Sequence, residues 1–223
     1  MKKFFQENGL TVVVLLLFLF SLVGQAITGY NEHNEDQQEH GQPTTGFVEY
    51  LGSGHFIEAV FENWESEFLQ MGLYVVLTAF LRQKGSAESK KLEGKEAVDA
   101  DPRDPKERKR KDVPWPVKHG GFVLSLYENS LGIALFILFF ISLALHAIGG
   151  AQEYSQEQIE QGAKGVSAIE YLGTSRMWFE SFQNWQSEFL SIGALVVLSI
   201  LLRQKGSPES KPVAAPHHET GTE

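Results

Sequence analysis

The sequence predicts an all-α membrane protein with four transmembrane helices, arranged as two tandem helical hairpins. Three observations support this prediction: long apolar blocks, an internal repeat, and a separation of positive and negative charge between loops. The chain has 223 residues, a formal net charge of −9 and no cysteine. The lack of cysteine excludes disulfides, thiolate metal sites and cysteine catalysis.

The first hairpin, residues 1–90, is predicted to have spans at about 10–27 and 68–84, joined by an outer loop at 28–67. The first apolar block has about 18 residues and at about 1.5 Å per residue nearly covers the hydrocarbon core of a bilayer. The second has about 14 residues, which by itself fits either a buried helix or a span. The first block also resembles a signal peptide, because Lys2 and Lys3 precede it. Its copy in mid-chain favours an uncleaved helix.

The second hairpin is a copy of the first, shifted by 121 residues. Without a gap, about 38 of 84 positions in residues 7–90 are identical to their counterparts, which indicates a tandem duplication. This repeat covers 122–211, with spans at about 131–148 and 189–205 and an outer loop at 149–188. Two hairpins in series have the same orientation, so they form a parallel repeat. A charged cytoplasmic linker at 91–121 joins them, and a disordered tail is predicted at 212–223.

Charge assigns the loops to sides of the membrane. Lysine and arginine precede spans one and three and follow spans two and four, whereas the two outer loops are poor in both. Because short loops rich in lysine and arginine stay in the cytoplasm, both termini are predicted to be cytoplasmic. The same pattern favours the two shorter apolar blocks as spans.

The second and fourth helices are predicted to extend outward from the membrane as amphipathic segments. Aromatic residues recur there at helical spacing, and the opposite faces carry Glu58, Glu62 and Glu65, or Glu180, Gln183 and Gln186. The aromatic stripe is interpreted as an interfacial belt or a packing seam that meets a partner or the membrane surface. It comprises Phe61, Trp64, Phe68, Phe182, Trp185 and Phe189.

Four polar residues are the candidate site at the outer membrane edge. Glu67 and Glu188 directly precede the short apolar blocks, and Gln25 and His146 lie near the outer ends of the long ones. We expect Gln25 to pair with Glu67, and His146 with Glu188. Ionisable groups at this depth are candidates for an ion or proton pathway. The alternative is that they are hydrogen-bond links between helices.

No motif predicts a cofactor, a metal or an enzymatic activity. His33, His40 and His55 lie among carboxylates, but the repeat has Tyr154, Gln161 and Arg176 at those positions, so no duplicated metal site is expected. The chain also lacks a phosphate loop, a dinucleotide fingerprint, a Ser/His/Asp motif and a zinc signature. The basic run in the linker does not indicate nucleic-acid binding in an acidic membrane protein.

The segments NWESEFLQ and NWQSEFLS, RQKGSAES and RQKGSPES, and EYLGSGHF resemble an uncharacterised family of bacterial membrane proteins, a domain of unknown function. The likeness covers both repeats, about 170 residues, and leaves the linker and the tail outside. The resemblance implies a bacterial cytoplasmic-membrane protein and carries no activity with it.

The sequence therefore favours a non-enzymatic envelope scaffold or interaction protein. Its expected partners are the lipid bilayer, a second copy of itself or another envelope protein. The alternative is a small oligomeric cation or proton transporter that uses the paired carboxylates. The two hypotheses depend on different residues. A scaffold would need the aromatic stripe, whereas a transporter would need the paired carboxylates.

Overall fold

The computed structural model describes residues 2–221, and these contain helices, turns and irregular segments without a β-strand. Long helices alternate with short helical turns. In chain order the helices are α1 (Lys2–Glu39), α2 (Phe47–Tyr50), α3 (Gly54–Phe80), α4 (Pro105–Arg108), α5 (Trp115–His119), α6 (Gly121–Glu128), α7 (Ser130–Glu160), α8 (Ala168–Tyr171) and α9 (Ser175–Leu201).

Three of the described helices, α1, α7 and α9, are long and apolar enough to cross a membrane. The apolar side chains of α1 are largely uncovered by protein: Leu10 is 81% exposed and Phe20 is 78% exposed. Such an extended apolar surface is typical of a membrane protein, because lipid covers it. The predicted all-helical membrane fold is confirmed to this extent.

The second predicted span lies in α3, which is not among these three helices. Its apolar part begins only at Phe68, and the helix already ends at Phe80. The physical reason is that the first half of α3 is polar and partly buried, so few of its residues are left to face lipid. Four spans therefore stay a prediction.

The second and fourth predicted spans end earlier than expected, at Phe80 and Leu201 instead of 84 and 205. After α3, Ser86 N–H donates to the carbonyl of Gln83, and Gly85 has φ +85°. The Ser89 hydroxyl accepts from Gln83 N–H at 2.9 Å. This side chain supplies the bond that a further helical turn would have made, so the chain turns instead. The same contacts follow α9, with Ser210 as the acceptor.

The chain divides into two compact units, each with residues from both halves of the sequence. Unit 1 comprises Met1–Phe61 and Ala144–Trp178, and unit 2 comprises Glu62–Leu143 and Phe179–Glu223. Unit 1 therefore contains α1, α2, the beginning of α3, the end of α7, α8 and the first residues of α9. Unit 2 contains the rest of α3, α7 and α9, together with the linker, α6 and the tail.

In unit 1, glycine allows α3 and α7 to approach at backbone distance. A Cβ on Gly149 would lie 2.5 Å from the backbone nitrogen of Glu58, and a Cβ on Gly54 would lie 2.7 Å from that of Glu153. Tyrosine rings fill two further close approaches, Tyr50 against Gly29 and Tyr171 against Gly150. Because only hydrogen fits at these four positions, the helices pack more closely than larger residues would allow.

Both loops of unit 1 close with the same local bonds at positions 121 residues apart. The Asn34 side chain donates to the carbonyl of Thr45 and accepts from its N–H at 2.7 Å. The Ser155 hydroxyl donates to the carbonyl of Val166 and accepts from its N–H at 2.8 Å. These paired hydrogen bonds, which we call loop brackets, fix the distance between each long helix and the short helix that follows it.

The tail predicted to be disordered has a defined path in unit 2 over the described residues 212–221. The buried Lys211 ammonium donates to the carbonyls of His217 at 3.0 Å and Glu219 at 2.8 Å, and also to that of Gly85. Gly221 N–H donates to the carbonyl of Ser86 at 2.9 Å. A polar composition suggested disorder, but the tail is held because its backbone carbonyls surround one buried cation.

The charged linker also contains local structure. Lys90 pairs with Asp99 at 2.6 Å, and Arg103 pairs with Glu128, at the end of α6. A single 3-10 turn covers Ala97–Asp99. Opposite charges spaced along the linker thus satisfy one another locally.

Candidate functional site

Gln25 and His146, two of the four predicted site residues, lie in unit 1. The Gln25 side-chain amide donates to the backbone carbonyl of Ala59 at 3.2 Å, which links α1 to α3. His146 is fully buried on α7, and one of its ring nitrogens lies within 4.8 Å of a carboxylate oxygen of Glu58. Glu67 and Glu188 belong to unit 2. The predicted pairs with Gln25 and His146 stay predictions.

Glu58 is the functional candidate that sequence reasoning missed. The sequence places it on the polar face of the second helix, opposite the aromatic stripe, yet only 7% of its surface is exposed. The buried Tyr171 hydroxyl donates to its Oε1 at 3.1 Å. Gly149 brings the α7 backbone against Glu58 itself. A carboxylate persists in such a place because hydrogen bonds replace the water that it has lost.

Glu58, His146 and Tyr171 form a buried polar cluster, contributed by α3, α7 and α8 of unit 1. Tyrosine and histidine offer hydrogen bonds to the carboxylate, and histidine can take up or release a proton near neutral pH. The cluster therefore suits proton exchange or structural bonding.

The predicted carboxylates Glu67 and Glu188 lie in unit 2, where α3 and α9 contact each other. Glu188 is partly buried and lies within electrostatic range of Glu67, which is exposed. The Gln70 amide donates to the backbone carbonyl of Glu188 at 2.7 Å and to the Ser191 hydroxyl at 3.0 Å. The two equivalent carboxylates thus come together at one helix pair.

The aromatic stripe is divided between two environments. Trp185 is partly buried, and its indole N–H donates to Glu65 Oε1 at 3.1 Å. Glu65 itself is fully buried, although the sequence places it on the polar face opposite the stripe. Phe182, whose ring packs edge-to-face against the Trp185 ring, is 58% exposed, and Phe189 is 40% exposed. The stripe is therefore a packing seam at Trp185 and an open surface at the two phenylalanines.

On α3 the same stripe is covered. Phe61, Trp64 and Phe68 are all partly buried. The spacing of the aromatic residues could not predict this difference in burial between α3 and α9, because both copies have the same aromatic pattern. The difference is visible only in what packs against each helix.

The three histidines considered for a metal are not equivalent. His40 is at the surface, where it pairs with Asp36. His33 is buried, and its ring centroid lies 5.2 Å from that of His55. His55 Nε2 lies 3.4 Å from a carboxylate oxygen of Glu32, and its Nδ1 lies 3.2 Å from the Tyr50 hydroxyl.

Comparison with known proteins identifies a family without an assigned activity. No curated protein and no solved structure matches the chain. One family does match, over residues 1–222. The match corrects the narrower expectation from the repeat motifs, because it also includes the charged linker and most of the tail. The chain belongs to the family described as Domain of unknown function (DUF6766).

Proposed function

We propose that the chain crosses a bacterial inner membrane four times as two tandem hairpins, with both termini in the cytoplasm. The three apolar helices support this layout. The repeated loop brackets, 121 residues apart, support a duplication. The distribution of lysine and arginine supports the orientation. In this layout α3 is the second span, and unit 1 contains the two loops on the outer side.

We propose that the protein acts as a non-enzymatic scaffold or interaction protein of the bacterial envelope. One observation carries this proposal: the outward part of α9 leaves Phe179, Phe182 and Phe189 exposed along one side. Aromatic side chains are enriched in the centres of protein interfaces, because each buries a large area at a small entropic cost.

A photo-reactive amino acid at position 182 tests the scaffold proposal in intact cells. We expect covalent adducts with protein at this position. The matched control is the same amino acid at Phe20, which is 78% exposed in the apolar part of α1 and should react with lipid. Lipid adducts alone at both positions would show that Phe182 is part of an interfacial belt instead.

A second function, cation or proton handling by an oligomer, is favoured by the cluster of Glu58, His146 and Tyr171. A buried carboxylate beside a buried histidine, close to the outer end of an apolar helix, is energetically costly and is therefore a candidate functional site. In this proposal Glu58 joins Glu67, Glu188 and His146.

Flux measurements in proteoliposomes test the second function. Transport predicts a proton or cation flux that Glu58→Gln and His146→Asn each reduce at least about tenfold, an effect common for ionisable groups in the pathway. Glu49→Gln, an exposed carboxylate of the same unit, is the control and should leave the flux unchanged. The absence of any flux from pH 5 to 8 would exclude this function.

A further inference from the structure

A second group of titratable side chains in unit 1 is separate from the Glu58 cluster. It lies where α1, α2 and α3 meet α7. His33 and His55 have ring centroids 5.2 Å apart, and each ring also packs against Tyr50, at 5.5 Å and 5.8 Å. His55 Nε2 faces Glu32 at 3.4 Å. The two imidazoles therefore pack against the same ring, that of Tyr50, and the Glu32 carboxylate lies close to His55.

A carboxylate of α7 completes the group. Glu153 accepts a hydrogen bond from the backbone N–H of His55 and lies within electrostatic range of His33. Its other oxygen, Oε2, is buried and has no hydrogen-bond partner among the described residues. A buried oxygen without a partner loses the stabilisation that it would have in water. A positive charge on His33 would offset this loss.

The second half of the sequence has a permanently charged version of this group. The counterparts of His33 and His55, 121 residues later, are Tyr154 and Arg176. The Arg176 guanidinium lies over the Tyr154 ring at 5.6 Å and pairs with Glu157 at 2.5 Å. A cation thus pairs with a carboxylate and an aromatic ring here, and arginine keeps its charge at every physiological pH.

We propose that His33 and His55 form a proton-binding site that ties α1 to α3 and α7 in mildly acidic solution. A proton taken from water makes an imidazolium that pairs with Glu32 and Glu153, as Arg176 pairs with Glu157. When the imidazoles are neutral, this pairing is absent and the tie weakens. Histidine is the side chain that makes this change between pH 5 and 8.

Burial raises the pKa of the Glu153 carboxyl group, and a positive charge on His33 opposes this rise, so the carboxylate and the imidazolium stabilise each other. Burial raises the pKa of Tyr50, and the charges of Glu32 and Glu153 raise it further, so its hydroxyl stays neutral. Glu157 also lies within electrostatic range of Glu153, but it is paired with Arg176. Neither Tyr50 nor the Arg176 pair changes charge in the range where the imidazoles do.

The site would report the pH outside the cell. The external position of the site rests on the proposed topology, in which both loops of unit 1 are outside the cell. Because proton binding does not depend on the orientation, failure of the topology would not remove the site. Cysteine labelling tests the topology, and hydrogen exchange tests the site.

Hydrogen exchange of the full-length protein in nanodiscs tests the proposal with an internal control. After correction for the intrinsic pH dependence, residues 45–60 should exchange on the order of fivefold more slowly at pH 5.5 than at pH 7.5. The equivalent segment, residues 166–181, contains Arg176 in place of His55 and should show no difference. The proposal would be overturned if the exchange rates of the two segments changed equally between the two pH values. This comparison needs no variant.

Substitutions then separate proton binding from packing. His33→Tyr with His55→Arg copies the second half and should give slow exchange at both pH values. His33→Phe with His55→Gln should give fast exchange at both. His40→Gln, at the surface, should keep the wild-type difference. A pH difference that persists in the Phe/Gln variant, or that disappears in His40→Gln, would overturn the assignment.

Discussion

At the scale of single residues, Lys211 shows how the environment decides what a charged side chain does. Its equivalent, Lys90, pairs with Asp99, whereas Lys211 is 1% exposed and is bound by backbone carbonyls. Burial lowers the pKa of the Lys211 ammonium. The carbonyls of Gly85, His217 and Glu219 nevertheless give its three N–H groups their acceptors. The tail therefore depends on one side chain.

Lys211→Met should release the tail. The variant leaves buried carbonyls without a donor, and each such group costs about 1–3 kcal/mol. Limited proteolysis of residues 212–221 should become at least severalfold faster. Lys205→Met, an exposed lysine on the same segment, should cleave at the wild-type rate. An unchanged tail in the Lys211 variant would show that its other contacts suffice.

Glu88 and Glu209 are a second case at this scale. Both line one cavity of about 610 Å³ in unit 2, and the Tyr74 hydroxyl donates to Glu88 at 2.8 Å. Burial raises the pKa of the Glu88 carboxyl group, and Glu209 raises it further, which outweighs the opposing effect of the Tyr74 bond. The pKa of Glu88 is higher in the folded than in the unfolded protein, so ionising Glu88 lowers the free energy of unfolding. This loss of stability appears as the pH rises above the ordinary pKa of glutamate.

A titration of Glu88 followed by carboxyl ¹³C NMR checks this direction. We expect a midpoint above that of an unperturbed glutamate. Glu209→Gln should lower the midpoint, because it removes a neighbouring negative charge. A midpoint that is unaffected by this variant would mean that burial alone causes the shift.

At the scale of helices, glycine decides how α3 and α7 meet in unit 1. The Gly149 Cα and the Glu58 backbone are so close that even a methyl group does not fit. The same approach encloses Glu58 beside His146, so the packing of the helices also creates the buried cluster. In the sequence, Gly149 reads as an ordinary glycine in an apolar helix.

Gly149→Ala should destabilise unit 1. Its Cβ would meet backbone atoms, which cannot move as a flexible side chain can, and overpacking of this kind costs about 1–3 kcal/mol. Thermal unfolding in detergent should show a lower midpoint. Gly24→Ala is the control, because nothing lies within 4 Å of its added Cβ. Equal midpoints for the two variants would contradict the close approach.

At the scale of the whole molecule, the decisive question is whether α3 crosses the membrane. If only α1, α7 and α9 span, positions 36 and 95 lie on the same side. If α3 also spans, they lie on opposite sides. The chain has no cysteine of its own, so single cysteines report their own positions alone.

Labelling of intact cells with a membrane-impermeant maleimide tests whether α3 crosses the membrane. We expect Asp36→Cys to react and Lys95→Cys to stay unlabelled until the cells are opened. Cysteine at Glu67 or Glu188 should react more slowly than at position 36, because both lie close to the apolar parts of their helices. Labelling of both positions 36 and 95 in intact cells would rule out the four-span layout.

The sequence by itself determined the helical membrane class, the family and the recurrence of motifs at a spacing of 121 residues. These properties depend on local composition and on order along the chain. Only the tertiary structure decided that Glu58 and Glu65 are buried, that Trp185 faces inward while Phe182 faces outward, and that Lys211 holds the tail. A helical period shows which residues share a face, but it does not show what covers that face. The covering groups come from distant parts of the chain, so burial and hydrogen bonding follow from packing alone.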